Sequence, residues 1–149
     1  MPSFETTRSI AVNAPPAKVR ALVVDFHHWT KWSPWEAIDA DLKRTYSGPD
    51  QGVGAHYGWS GKKSGEGTMA ITGATDDRVE IDLDFLKPIK ANNKVVFRFD
   101  TEGSGTRVTW TMTGTRNVLL AVMGKLFFDK RVGQDFENGL AKLKTAAEA

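Results

Sequence analysis

The chain has 149 residues, no cysteine, and 20 basic against 18 acidic side chains, which leaves a formal net charge of +2. This length corresponds to one ordinary domain that buries enough surface to fold without disulfides or bound metals. We therefore predict a single domain over residues 1–149. The lack of cysteine excludes a disulfide framework, a cysteine nucleophile and a cysteine-built zinc site. The small positive excess forms no basic stripe, and we therefore expect no nucleic-acid partner.

The first predicted elements are a strand and two short helices. Apolar and polar residues alternate over 4–13, which is typical of a strand. Pro15 and Pro16 then end the strand, and a proline in the first turn of a helix removes no hydrogen bond. Apolar residues next recur at helical spacing, at Val19, Leu22, Val23 and Phe26. Three tryptophans within 27–35 predict a second short helix that aromatic side chains anchor to the core.

The middle of the chain is rich in strand patterns. Short runs of turn residues separate the predicted strands, so we expect each strand to pair antiparallel with the next. Apolar side chains alternate with Asp82 and Asp84, which indicates one dry face and one wet face, with Arg98 pairing with one of these carboxylates. The six strands are predicted near 38–47, 54–61, 66–74, 78–86, 93–101 and 106–115.

The C-terminal segment returns to a helical period. Val132, Phe136, Leu140 and Leu143 are spaced by 4, 4 and 3 residues, which predicts a long amphipathic helix. A glycine inside a helix costs about 1 kcal/mol relative to alanine, so Gly133 and Gly139 indicate a close approach by the sheet or by a ligand. The apolar segment 117–124 before this helix is open to four interpretations: a lid, a dimer contact, a membrane-touching edge or, by default, part of the core.

This order of elements defines an α+β class of fold. A seven-stranded antiparallel sheet with one dry face must bury that face, and the long last helix is the element able to cover it. A twisted sheet curls around such a helix. Where the sheet and the helix diverge, we expect a concave apolar pocket.

Several short motifs resemble one known family. They are VNAPPAKV (12–19), WTKWSPW (29–35), YGWSG (57–61) with GEG (65–67), DFLKP (84–88), GTRVTW (105–110) and GQDFENGL (133–140). In this order they resemble the polyketide cyclase/dehydrase and lipid-transport family of the START-like, or birch-pollen-allergen-like, superfamily. The resemblance implies a helix-grip fold, in which the curved sheet wraps around the C-terminal helix, with two short helices after the first strand. Relatives in that superfamily include lipid and hormone carriers, quinone-binding proteins, polyketide cyclases and chaperone-ATPase activators, so the fold implies no single activity.

Acid–base candidates are few in this sequence. His28 and Glu66 are the side chains that we consider for a general acid or base at the cavity. His27 precedes His28, and adjacent side chains on a helix diverge by about 100°, so at most one of them faces inward. The spacing of His, Asp and Glu matches no metal motif, and no GK[ST] ending follows the glycines at 52–67. We therefore predict no metal, no cofactor, and turns or sharp bends at those glycines, with one bend around Glu66.

The apolar faces of the predicted strands favour a ligand-binding site more strongly than the acid–base candidates favour a catalytic one. We expect the chain to bind a small hydrophobic or amphipathic ligand, such as a lipid, a quinone or a polyketide-like molecule, between sheet and helix. The alternatives are a cyclase, dehydratase or isomerase acting on such a ligand, and a chaperone-activator-like protein-interaction module. We expect a cytoplasmic monomer or homodimer without stable membrane insertion. The predicted ligand-binding residues are Tyr57, Trp59, Met69, Leu83, Phe85, Phe97, Phe99, Trp110, Met112, Phe136 and Leu140.

Overall fold

The described residues form seven strands, two α-helices and one 3-10 helix. The computed structural model describes residues 3–33, 41–62, 65–87, 90–115 and 118–149, and at 3–4, 115 and 118–132 the description is limited to the backbone. In chain order the elements are β1 (Ser3–Val12), α1 (Pro16–Val24), a 3-10 helix (Phe26–Lys31), β2 (Lys43–Ser47), β3 (His56–Gly61), β4 (Gly65–Thr75), β5 (Arg78–Lys87), β6 (Ala91–Glu102), β7 (Gly105–Thr115) and α2 (Val118–Glu148). The predicted helix-grip architecture, a curved seven-stranded antiparallel sheet with a long C-terminal helix and two short helices after β1, is confirmed.

Two of the predicted elements differ in extent. The second short helix is a 3-10 helix, and the Asp25 carboxylate caps its N-terminus by accepting a hydrogen bond of 2.9 Å from the backbone N–H of His27. The described part of β2 starts at Lys43, and the predicted strand residues 38–40 lie outside the described residues. In the apolar segment 117–124, the residues from Val118 onward are helical and form the first turns of α2.

The sheet has the strand order β1-β7-β6-β5-β4-β3-β2, with antiparallel pairing throughout. Buried residues alternate with exposed ones along β5 and β6, so one face is dry, as predicted. The register of β4 against β5 shifts between Glu66 and Gly67 and again between Ile71 and Gly73. Such irregularities increase the local bend of a strand. The bend predicted at Glu66 therefore contributes to the curvature that lets the sheet wrap around α2.

Register also decides the ion pairs of the outer face. Asp82 lies opposite Lys94, and the hydrogen bond donated by Lys94 lowers the pKa of Asp82, with a second contribution from Asn92 at 3.1 Å. The predicted pairing of Arg98 with Asp82 or Asp84 is wrong, because Arg98 lies opposite Arg78, four pairs along the ladder from the pair of Asp82 and Lys94. Arg98 instead lies 3.8 Å from Asp100 on its own strand.

Polar contacts from β1, and from Asn13 directly after it, hold the second half of α2 over the dry face. Glu148 accepts a hydrogen bond of 2.7 Å from the backbone N–H of Asn13, and Arg8 donates to Glu137 at 3.1 Å. The guanidinium of Arg8 lies so close to Gly133 that a Cβ there would come within 2.3 Å of Nη2. The close approach predicted from Gly133 is therefore made by the sheet.

These contacts also give the direction of α2. Since Glu137 lies near Arg8 and Glu148 near Asn13, the helix runs in the same sense as β1. A helix rises about 1.5 Å per residue and a strand about 3.3 Å. The first half of α2, residues 118–132, therefore extends toward the start of β1 and the end of β7.

Gly67 permits a close packing that we expect to be sensitive to one methyl group. A Cβ at this position would lie 2.3 Å from Trp59 Cη2 and 2.6 Å from the backbone oxygen of Asp84. Because the backbone oxygen belongs to the sheet ladder and cannot move freely, Gly67→Ala should lower the free energy of unfolding by about 1–3 kcal/mol. Urea denaturation measures this change. Gly58→Ala is the matched control, since its Cβ would meet nothing closer than 3.8 Å; equal losses in the two variants would contradict the argument.

The contact between Glu148 and Asn13 predicts a pH dependence. The hydrogen bond from Lys144 lowers the pKa of Glu148 from its ordinary value of 4.5, and the backbone N–H of Asn13 lowers it further. A lowered carboxyl pKa stabilises the folded state above the unfolded pKa, and this stabilisation is lost as the pH falls through the folded pKa. Glu148→Gln should therefore be less stable than the parent at neutral pH, with the difference disappearing between about pH 5 and pH 2. Urea denaturation at each pH measures it, and a difference that stays constant would contradict the proposed role of the charge.

Candidate ligand-binding site

One end of the dry face is filled by what we call the tryptophan cluster, which consists of Trp29, Trp32, Phe97, Trp110 and Phe136. Trp32 packs edge-on against Phe97 at 5.8 Å and against Trp110 at 5.6 Å between ring centroids. Phe136 of α2 stacks on Trp110 with centroids 4.0 Å apart and an interplanar angle of 7°. All five side chains are at most 3 % exposed. This end of the concave face is therefore closed by packing.

The indole N–H groups explain how two tryptophans enter this cluster. Trp29 Nε1 donates to the backbone oxygen of Val23, and Trp32 Nε1 donates to that of Leu22, both at 2.8 Å. These carbonyls belong to the last turn of α1, where helix geometry leaves oxygens without intrahelical partners. The end of α1 and the 3-10 helix thus hold each other in place.

The opposite end of the dry face carries a row of side chains on neighbouring strands. Asn93 of β6, Leu83 of β5, Met69 of β4 and Tyr57 of β3 are successive partners across the sheet, and we call them the Asn93 row. All four are buried. Gly114 of β7 continues the row on the other side of Asn93. This is the end of the sheet toward which residues 118–132 of α2 extend.

Two further aromatic side chains lie beyond this row. Trp59 of β3 and Phe85 of β5 both face Gly67 of β4, and their rings meet edge to face at 5.9 Å between centroids. Both remain partly exposed, whereas Phe97, Trp110 and Phe136 are fully buried. Burial of the aromatic surface therefore decreases from the tryptophan cluster toward Trp59 and Phe85.

The structure divides the predicted ligand-binding residues between these two ends. Tyr57, Trp59, Met69, Leu83 and Phe85 lie at the end with the Asn93 row. Phe97, Trp110 and Phe136 are in the tryptophan cluster, and Phe99, Met112 and Leu140 are buried in the same core. Direct ligand contact by any of them stays a prediction, and the exposed fractions favour the first group.

The two acid–base candidates lie apart from the Asn93 row. Glu66 shares the outer face with Ser60, which donates to it at 3.2 Å, and it pairs with Lys87 at 3.2 Å. His28 is in the 3-10 helix, 40 % exposed in its side chain, with Nε2 3.9 Å from an Asp25 oxygen. Their catalytic role stays a prediction that this arrangement does not favour.

A second concave feature was not predicted from the sequence. A cavity of about 150 Å³ opens beside the 3-10 helix. His27 lines it, stacked on Tyr46 at 4.1 Å, and its Nδ1 lies 2.7 Å from Asp25 Oδ1. A carboxylate on Nδ1 favours the tautomer that leaves the Nε2 lone pair available as an acceptor. Asp25 lies two positions before His27, so their contact could have been predicted from the sequence. Tyr46 comes close to His27 only because β2 pairs with β3, which the sequence spacing does not show. Its other lining residues are Phe26, Ser47, Gly48, Pro49, Asp50, Ala55 and His56.

Metal-ligating side chains do not cluster in the described part of the chain. Within the described ranges, no group of three or more His, Cys, Asp or Glu side chains has an arrangement that could hold a metal ion. The described residues likewise include no helix long and apolar enough to cross a membrane.

A curved sheet gripping a helix defines the helix-grip class of folds. A sequence model described as "Polyketide cyclase / dehydrase and lipid transport" matches residues 3–148, and the chain belongs to this family. The predicted resemblance is thereby confirmed. No curated protein sequence matches the chain.

Solved structures confirm the fold at low sequence identity. The Aha1 dimer from Colwellia psychrerythraea is 17 % identical with a TM-score of 0.70, covering 97 % of this chain and 96 % of that one. Ara h 8.0201 is 10 % identical with a TM-score of 0.71 and 98 % coverage of both chains. CalU16 from Micromonospora echinospora is 15 % identical with a TM-score of 0.62, covering 98 % of this chain and 85 % of that one. At these identities the likeness shows the fold alone.

The difference in burial between the two ends predicts different energetic roles for two phenylalanines. Phe97 is fully buried and Phe85 is partly exposed. Phe97→Ala should lower the free energy of unfolding by about 3–5 kcal/mol, because it leaves a cavity in a closed core. Phe85→Ala should cost about 1–2 kcal/mol, because less of its surface is removed from water. Urea denaturation compares the two identical substitutions, and equal costs would show that Phe85 belongs to the closed core.

Proposed function

We propose that the protein binds a small hydrophobic or amphipathic molecule, of the lipid, quinone or polyketide-like kind, between α2 and the end of the sheet with the Asn93 row. The observation that carries this proposal is the fall in aromatic burial from Phe97 to Trp59 and Phe85 along one concave face. Incompletely buried aromatic rings on a concave apolar surface form a binding surface that a ligand can complete.

Family membership supports the same class of ligand. The family description names polyketide cyclisation or dehydration and lipid transport, and both substrate classes combine a large apolar body with a few polar groups. Trp59 and Tyr57 suit such molecules because each joins an apolar ring to a polar atom. A cytoplasmic location and a monomeric or homodimeric state remain predictions.

Binding is favoured over chemistry by where the titratable side chains lie. Glu66 is on the outer face in contact with Lys87, and His28 is substantially exposed in the 3-10 helix. A pocket that only orients its ligand needs no acid or base and can still accelerate a reaction that the ligand undergoes by itself. The protein-interaction alternative requires a contiguous apolar patch. The large apolar side chains that are most exposed among the described residues are those of Val53 and Leu86. Val53 lies in the turn before β3, whereas Leu86 lies on β5.

The first experiment is native mass spectrometry of freshly purified protein, followed by denaturing extraction. A bound lipid, quinone or polyketide-like species would support the proposal and supply the physiological ligand class. A protein that is empty and that also fails to bind 2-naphthol in calorimetry would contradict it. If a carried molecule is chemically altered on incubation with the protein, the enzyme alternative gains support.

Two adjacent residues of β5 provide a sharp test of where the ligand binds. Phe85 faces the concave side opposite Gly67, while Leu86 lies at the register shift and is 45 % exposed. Phe85→Ala should weaken 2-naphthol binding about tenfold, equivalent to about 1.4 kcal/mol, because it removes ring contact. Leu86→Ala should leave binding unchanged. Isothermal titration calorimetry measures both, and equal effects would place the ligand elsewhere.

A further inference from the structure

Asn93 is a polar residue in an otherwise apolar row. It is 3 % exposed, and it alternates with the exposed Asn92 and Lys94, so its side chain faces the dry side of the sheet. Its neighbours across the sheet are Leu83 and Gly114, neither of which offers a side-chain hydrogen bond. Among the residues that the structure describes, Asn93 Oδ1 is buried without a hydrogen-bond partner.

An amide in this position is unfavourable unless something completes it. Buried polar side-chain atoms are hydrogen-bonded in the large majority of cases, and an exception requires an explanation. A buried amide that lacks a partner loses its hydration without compensation. The neighbouring positions on the same face carry apolar side chains, Val95 on the same strand and Leu83 on the adjacent one. Packing alone therefore gives no reason for asparagine here.

One cross-strand neighbour leaves the Asn93 amide without a side chain beside it. Gly114 lies directly opposite on β7 and has no side chain to cover the amide from that side. The other members of the row, Leu83, Met69 and Tyr57, continue away from Asn93 over three strand spacings, which is about 14 Å. An apolar body lying along this row would thus have one polar anchor at its end.

We propose that Asn93 is the specificity-determining residue of this site and that its amide hydrogen-bonds a hydroxyl group of the ligand. This inference rests on the proposed function. An amide presents a carbonyl acceptor in one orientation and an N–H donor in the other, and a hydroxyl both donates and accepts, so it satisfies either orientation. The ligand class narrows to hydroxylated apolar molecules, such as phenols and long-chain alcohols. A site built to hydrogen-bond a hydroxyl rejects an analogue without one, because its polar group is then left without a partner.

The experiment compares two probes of equal shape, 2-naphthol and 2-methylnaphthalene, by isothermal titration calorimetry. The parent protein should bind 2-naphthol at least about tenfold more tightly than 2-methylnaphthalene. Asn93→Leu should remove this preference, mainly by weakening 2-naphthol binding. Without ligand the same variant should melt about 2–4 °C higher, since a buried polar group without a partner has been replaced by an apolar one of similar size. Asn93→Ala tests the preference independently if leucine does not fit.

The outcomes separate the two proposals. If both probes bind to the parent and to Asn93→Leu without discrimination, the role of Asn93 is overturned while the binding function stands. A melting temperature that falls in both variants would show that the amide has a structural partner, and would also overturn the inference. If neither probe binds to the parent although the purified protein carries a ligand, the role of Asn93 is overturned and the binding function stands. If neither probe binds and the purified protein is also empty, the proposed function fails, and the inference fails with it.

Discussion

The contact between Phe136 and Trp110 is the interaction on which the rest of the structure depends. A one-sided apolar sheet is stable only when another element covers it, and the parallel stack at 4.0 Å fixes where α2 does so. The polar contacts from Arg8 to Glu137 and from Asn13 to Glu148 then set the direction of the helix along β1. Because the second half of α2 is held in this way, its first half extends toward the opposite end of the sheet.

The same arrangement makes the two ends of the concave face unequal. Trp29 and Trp32 enter only one end, since their indole N–H groups are bonded to the last turn of α1. At the other end the widest rings, Trp59 and Phe85, stay partly exposed on either side of Gly67. A fold whose aromatic residues were spread evenly would have a closed core and no place for a ligand. The asymmetry is therefore what makes binding compatible with stability in a small domain.

How far the sequence predicts this arrangement depends on the range of the interaction involved. Alternation along β5 correctly separated buried Leu83 from Asp82 and Asp84, because the two faces of a strand follow from its backbone geometry. The partner of Arg98 was predicted incorrectly, because cross-strand pairing depends on register, which also reflects turns and bulges. Tyr46 reaches His27 only through folding of β2 onto β3, so no spacing in the chain reports their stacking. Asn93 lies at the beginning of a predicted strand on the same face as Val95, but its cross-strand neighbours Leu83 and Gly114 depend on register, so the sequence does not show that its amide oxygen lacks a partner among the described residues.

A polar group inside an apolar row changes how stability and binding are related. The Asn93 amide destabilises the empty protein, whereas a hydroxylated ligand that satisfies it stabilises only the folded state. The same hydrogen bond therefore contributes to affinity and removes an unfavourable term from the fold. Selectivity arises at the same place, because an apolar molecule without a hydroxyl would cover the Asn93 row and leave the amide without a partner. In the proposed site, the partly exposed rings of Trp59 and Phe85 would set the general affinity for apolar molecules, and the single amide in the row would decide among them.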